Sequence, residues 1–154
     1  MSLAKQTPRF DPPIDYEDDF HDWLFQQAEL LRQRRFSEVD LPNVIEELES
    51  MGREQKHALG SSYRLLIFHL LKWQHQSSRR SRSWDLTIVR ERGNIERREA
   101  DNPSLREQAR QIVESIYGQA VREAMKETGL SRDTFPAECP YTLEQLRDPD
   151  WMPA

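Results

Sequence analysis

The chain has 154 residues, of which 36% are hydrophobic and 32% charged, with a formal net charge of −5. A chain of this length suits one domain and buries roughly 70% of its unfolded surface, so a core forms without disulfide or metal staples. Only 5 glycines, few β-branched runs and the single cysteine, Cys139, argue against a sheet protein and exclude an internal disulfide framework.

The charge is unevenly laid out. Residues 1–52 carry 5 Lys and Arg against 12 Asp and Glu, residues 53–98 carry 11 against 4, and residues 99–154 carry 6 against 11. The three stretches therefore have net charges of −7, +7 and −5. A basic middle between acidic ends predicts either charge pairing between helices or an anion-binding face. The first residues lack a basic-then-apolar leader pattern. The longest apolar stretch, 65–71, is interrupted by His69 and is too short to span a bilayer. The expected location is the cytoplasm, with no membrane partner.

In chain order, Pro8, Pro12 and Pro13 predict an irregular lead-in over 1–14. A single helical domain is expected over 15–154. Its first helix is predicted to start after Asp15, with Glu17, Asp18 and Asp19 at the positive end of its dipole, and to end near Arg35. Phe20, Trp23, Leu24, Gln27, Ala28 and Leu31 fall on one face of it. Asp40 and Pro42 open the next helical region. Its stripe of Val44, Leu48, Met51, Gln55, Leu59, Ser62, Leu66, Leu70 and Trp73 passes through Gly52 and Gly60. A glycine costs about 1 kcal/mol inside a helix, so two nearly collinear pieces are expected, 41–51 and 53–76. The segment 65–71 is apolar on nearly all sides, which predicts a central helix.

Residues 76–83 read as a loop. Ser83 is the expected cap of a third helix over 84–99 with a thin stripe of Trp84, Ile88 and Ile95. Asn102 and Pro103 signal the start of a fourth. Leu105, Ala109, Ile112, Val113, Ile116, Ala120, Val121 and Ala124 form its stripe, and Gly129 closes it. In the Pro-rich tail, Thr142 and Gln145 predict a capping box for a short helix over 143–148. Phe135, Tyr141, Leu146 and Trp151 are the expected tail anchors. Together these elements predict an all-α, up-and-down bundle of four to five helices, with a short C-terminal helix and an irregular tail.

Six strings stand in order along the chain: YEDDFHDW at 16–23, IEELESMG at 45–52, HLLKWQ at 69–74, RSRSW at 80–84, PSL at 103–105 and PAECPYTL at 136–143. In their order and spacing the chain resembles a bacterial family known as domain of unknown function 29, over about residues 16–153. The resemblance implies an all-helical fold. It brings no activity, ligand or cofactor with it.

Three constellations bear on chemistry. Arg79, Arg80, Arg82 and Trp84 lie at a helix start, with Lys72 on the preceding helix; arginine forks and helix-terminal N–H groups suit phosphate, from RNA, DNA or a phosphorylated small molecule. The competing expectation is that these arginines pair with the acidic patch Glu46, Glu47 and Glu49. Glu54 and His57 form an E-x-x-H, the i,i+3 spacing of di-iron bundles, which need two such pairs; the nearest second candidate is Asp18 with His21, Asp standing in place of Glu, and single matches of this kind are common by chance. Cys139 has no adjacent base to lower its pKa and reads as a packed thiol. No glycine-rich phosphate loop, G-x-S-x-G or CxxC occurs. The reading that follows is a helical protein-interaction module without catalytic residues or cofactor. Anion binding through 79–84 ranks second and a metal-dependent enzyme third. The oligomeric state stays open.

Overall fold

The structure is a computed structural model and describes residues 13–154. Most of the expected lead-in, 1–12, lies outside the described residues. The fold is all-α, and no strand occurs among the described residues. The α-helices are α1 (Phe20–Arg32), α2 (Leu41–His75), α3 (Arg82–Asp101), α4 (Pro103–Glu107), α5 (Ala109–Thr128) and α6 (Leu143–Arg147). No helix among the described residues is long and apolar enough to cross a membrane. The chain divides into two compact units, Met1–Gly52 and Arg53–Ala154.

In the first unit, α1 starts later than the acidic run suggests. Asp15 closes a turn, with its carbonyl accepting from Asp18 and Asp19, and the cap is Asp19, whose carboxylate accepts the Asp22 N–H at 3.0 Å. The helix ends at Arg32 because Arg34 takes a left-handed φ of 58°. The Arg35 N–H then reaches the Leu30 carbonyl and the Arg34 N–H reaches Leu31, a Schellman closure made without glycine. The buried face of α1 is also rotated from the expected one. Trp23, Gln26, Gln27 and Leu30 are buried, while Phe20, Leu24 and Leu31 are 45%, 40% and 42% exposed. The two glutamines turn inward because their amide oxygens accept backbone N–H groups, Ile14 on Gln26 at 3.2 Å and Asp40 on Gln27 at 2.7 Å.

The expected break in α2 does not occur; it is one helix of 35 residues. Its regular backbone bonds outweigh the entropic cost of Gly52 and Gly60. A methyl group at Gly52 would meet nothing within 4 Å. Gly52→Ala is therefore expected to raise stability by up to about 1 kcal/mol, seen as a higher urea midpoint with an unchanged slope.

In the second unit, Leu59, Tyr63, Leu66 and Leu70 of α2 build one core with Ile88 and Ile95 of α3, the buried face of α5 and the tail residues Phe135, Tyr141 and Leu146. Ser81, not Ser83, caps α3, its hydroxyl accepting the Trp84 N–H. The fourth predicted helix is two, α4 and α5, separated at Gln108 with φ −88° and ψ 0°. Asn102 and Pro103 do start α4, but the Asn102 side chain makes no capping bond there. Its side-chain amide donates to the Arg98 carbonyl at 2.9 Å and closes α3 instead. Gly129, at φ 73°, ends α5, and Thr142 with Gln145 forms the expected capping box of α6. Trp151 is half-buried against Tyr141, ring centroids 5.5 Å apart.

Candidate functional site

The basic turn is only partly open to a ligand. Lys72, on the last turns of α2, is 2% exposed. Its Nζ donates to Glu127 Oε1 at 2.7 Å and lies 4.4 Å from the ring centroids of both Phe68 and Trp84. Glu127 thus neutralises Lys72, and the rings of Phe68 and Trp84 cover it, inside the second unit. Arg80 donates from Nε to the Trp73 carbonyl at 2.8 Å and lies over the Trp73 ring at 5.0 Å, closing the C-terminus of α2. Arg79 and Arg82 are exposed. In the acidic patch, Glu47 accepts the hydroxyl of Tyr16, and that bond is the leading cause pushing the phenol up to about 12. Glu46 and Glu49 are exposed and engaged in contacts of their own.

The E-x-x-H pair, Glu54 and His57, stands exposed on α2, and His21 is exposed and bonded through Nδ1 to Asp22 at 3.1 Å. Among the described residues no three His, Cys, Asp or Glu side chains are grouped to hold a metal ion. Cys139 lies at a cavity wall with its thiol toward the Tyr141 carbonyl at 3.6 Å, and burial raises its pKa, so it stays a thiol rather than a nucleophilic thiolate.

His69 is half-buried on α2 and donates from Nδ1 to the Leu65 carbonyl at 2.8 Å. Burial is the largest influence on it and lowers its pKa; burial does the same at His75. The folded protein then holds fewer protons than the unfolded chain below the ordinary histidine value of about 6.5. Stability is expected to fall as pH drops through that value toward the depressed folded values. Melting curves from pH 7.5 to 5 should show this, with a shallower pH dependence in His69→Gln.

Two groups of functional interest were not legible in the sequence. The first surrounds Glu99, whose side chain is 0% exposed. It accepts from the Tyr63 hydroxyl at 2.5 Å, from Arg106 at 3.0 Å, and from Arg147 through two nitrogens at 3.0 and 3.1 Å. One carboxylate thereby joins α2, α3, α4 and α6. Nearby, buried Arg92 donates to the carbonyls of Leu146 and Gln145. The thin apolar stripe of α3 is thus completed by Glu91, Arg92 and Glu99, all buried.

The second is a cavity of about 480 Å³ in the first unit, walled by Tyr16, Trp23, Gln26, Gln27, Asp40 and Asn43 among others. Trp23 is 1% exposed and donates from Nε1 to Asp40 Oδ2 at 3.2 Å, and the same oxygen accepts from Asn43 at 2.8 Å. Tyr16 meets Trp23 edge-on, with centroids 4.9 Å apart. Gln27 and Asp40 appear in the sequence as a stripe residue and a helix start; their convergence depends on how α1 turns back to α2.

Fold and site define an all-α protein whose second unit is fastened by ion pairs with one buried partner each and whose first unit carries an open, acid-lined cavity. The chain belongs to the family described as domain of unknown function DUF29, whose model matches residues 16–152. No curated protein and no solved structure matches it.

Proposed function

We propose that this protein is a non-enzymatic helical interaction module of the cytoplasm that docks a basic, amphipathic helix of a protein partner. One observation carries the reading. Leu41, Ile45, Leu48 and Met51 share one face of the N-terminal part of α2 and are 57%, 45%, 64% and 61% exposed. A contiguous exposed apolar row is the usual mark of a docking surface, and a groove or helix face of this kind is read by i, i+3, i+4 anchors. At helical spacing Glu47 and Glu49 flank the row and Glu46 lies on the opposite face, and residues 1–52 carry a net charge of −7, which selects a partner rimmed by Lys and Arg. The anion-binding alternative keeps only Arg79 and Arg82, since Lys72, Arg80 and Trp84 have partners within the protein.

Capture from the native host with the natural protein and with the double variant Leu48→Asp, Met51→Asp tests the proposal. Each buried aliphatic anchor is worth about 1.5 kcal/mol or more, so the double variant should weaken the complex by roughly 100-fold or more. It should keep its helical circular dichroism and Tm, because both residues are exposed. Identical capture by both proteins, or none by either, would overturn the reading. A molecular mass by light scattering that halves in the variant would replace the basic partner with a second copy of the chain.

A further inference from the structure

We propose that a cavity of the second unit, walled by α3, α4 and α6, binds a small organic monocarboxylate, a carboxylate group carried on a short apolar body. The cavity measures about 450 Å³, within the range of small-ligand sites, and lies wholly inside that unit. Three arginines line it, Arg92 from α3, Arg106 from α4 and Arg147 from α6. Two glutamates, Glu96 and Glu99, line it as well, so its wall carries one positive charge in excess. That balance favours a monoanion over a dianion and repels a cation. Arg147 gives Nε and Nη2 to Glu99 and these two largely neutralise one another. Arg92 and Arg106 are left to set the sign of the site, against the exposed Glu96.

Arg92 is the side chain that calls for a ligand. It is 6% exposed. A buried charge is ordinarily held by an opposite one. Arg92 instead donates from Nε and Nη2 to the carbonyls of Leu146 and Gln145, at 3.0 and 3.2 Å, and these carry only partial charge. No carboxylate among the described residues pairs with it, and Asp148 and Asp150 act on it at longer range. Its Nη1 donates to nothing among the described residues and is not sealed from water. Arg106 supplies further donors: only its Nη1 is spent, on Glu99 at 3.0 Å, and its side chain is 56% exposed. Guanidinium groups with unspent N–H donors match the paired oxygens of a carboxylate. Val89, Ile95 and Pro149 complete the wall. Val89 is 59% exposed and offers apolar contact to the body of the acid. A methyl group at Gly93 would meet nothing within 4 Å, so space stays open beside it.

The site is separate from the apolar row of α2, and its failure would leave the helix-docking proposal untouched. The test is a titration of the full chain with hexanoate, benzoate and N-acetyl-L-leucine, with hexanol, hexylamine and phenyl phosphate as comparisons. It is followed by calorimetry and by NMR of the Val89 methyl groups and the Arg106 Nε–H. A saturable response to at least one carboxylate is expected, with both sets of signals moving together, and none to hexanol or hexylamine. Binding of hexanoate or benzoate identifies a free acid, and binding of N-acetyl-L-leucine alone identifies the terminal carboxylate of a peptide; both support the site. Arg106→Gln and Val89→Asp should each weaken binding by about tenfold or more, the first by deleting a charged donor and the second by setting a like charge on the wall. Val89→Asp alters an exposed side chain outside the Glu99 network, so its helical circular dichroism and Tm should hold even if Arg106→Gln loosens that network. No saturable response to any carboxylate, an equal response to hexanol, tighter binding of phenyl phosphate, or undiminished binding in Val89→Asp would overturn the proposal.

Discussion

Glu99→Ala is expected to lower stability by about 3–5 kcal/mol, the usual cost of removing one member of a buried ion pair. In a chain of this size that corresponds to a fall in Tm of roughly 10 °C. The loss is large because the carboxylate has three partners at once. Arg106, with a side chain 56% exposed, returns to water at little cost. Arg147 is 24% exposed and Tyr63 is fully buried, so one guanidinium and one hydroxyl are stranded. Glu99→Gln keeps one acceptor oxygen for Tyr63 but turns an amide NH2 toward the guanidinium donors of Arg106 and Arg147; because it still fills the space and satisfies the buried hydroxyl, it should cost less than the alanine variant. Urea denaturation of the three proteins checks the order. Equal stability of natural protein and Glu99→Ala would mean that the network contributes nothing net.

The second large effect concerns Lys72 and Glu127, where the two partners should behave unequally. Lys72 is 2% exposed and Glu127 52%. Lys72→Met keeps an unbranched stem against Phe68 and Trp84 and deletes the buried charge, and it releases a carboxylate that is already half in water. It is expected to be neutral to slightly stabilising, as replacements of buried charges by apolar groups often are. Glu127→Ala instead leaves the ammonium under the two rings without its counterion. The cost should approach about 3 kcal/mol, eased by the contacts with Phe68 and Trp84. A thermal-melting comparison of the two single variants decides. If Lys72→Met is the worse of the pair, the cation–π contacts outweigh the desolvation of the lysine.

In the sequence alone Lys72 and Trp84 look like ligand groups, because neither the burial of Lys72 nor its cover by Trp84 is visible there. A lysine and a tryptophan near an arginine-rich turn look available when only their spacing is known. Whether each side chain already has a partner depends on Glu127, 55 residues away, and no local pattern carries that information.

What the sequence by itself determined was local. The 3.6-residue period marked the four long helical regions, though not the unbroken course of α2 or the break at Gln108, because an amphipathic stripe states its own secondary structure. The capping box at Thr142 and the left-handed Gly129 were legible for the same reason: each is a bond or a backbone angle made within four residues. Tertiary structure alone decided what covers each stripe. The stripe of α2 runs unbroken from Val44 to Trp73, yet Leu59, Leu66 and Leu70 are buried and Leu48 and Met51 are exposed. Gln26 and Gln27 are buried where Phe20 and Leu24 are exposed, because the glutamines meet backbone groups at Ile14 and Asp40 that lie 12 and 13 residues away. The Glu99 network gathers residues from positions 63 to 147, and the cavity gathers the start of the chain, α1 and the start of α2. Periodicity fixes which side chains share a face. Only the packing of distant segments settles which face meets protein, which meets solvent, and which charges find a partner.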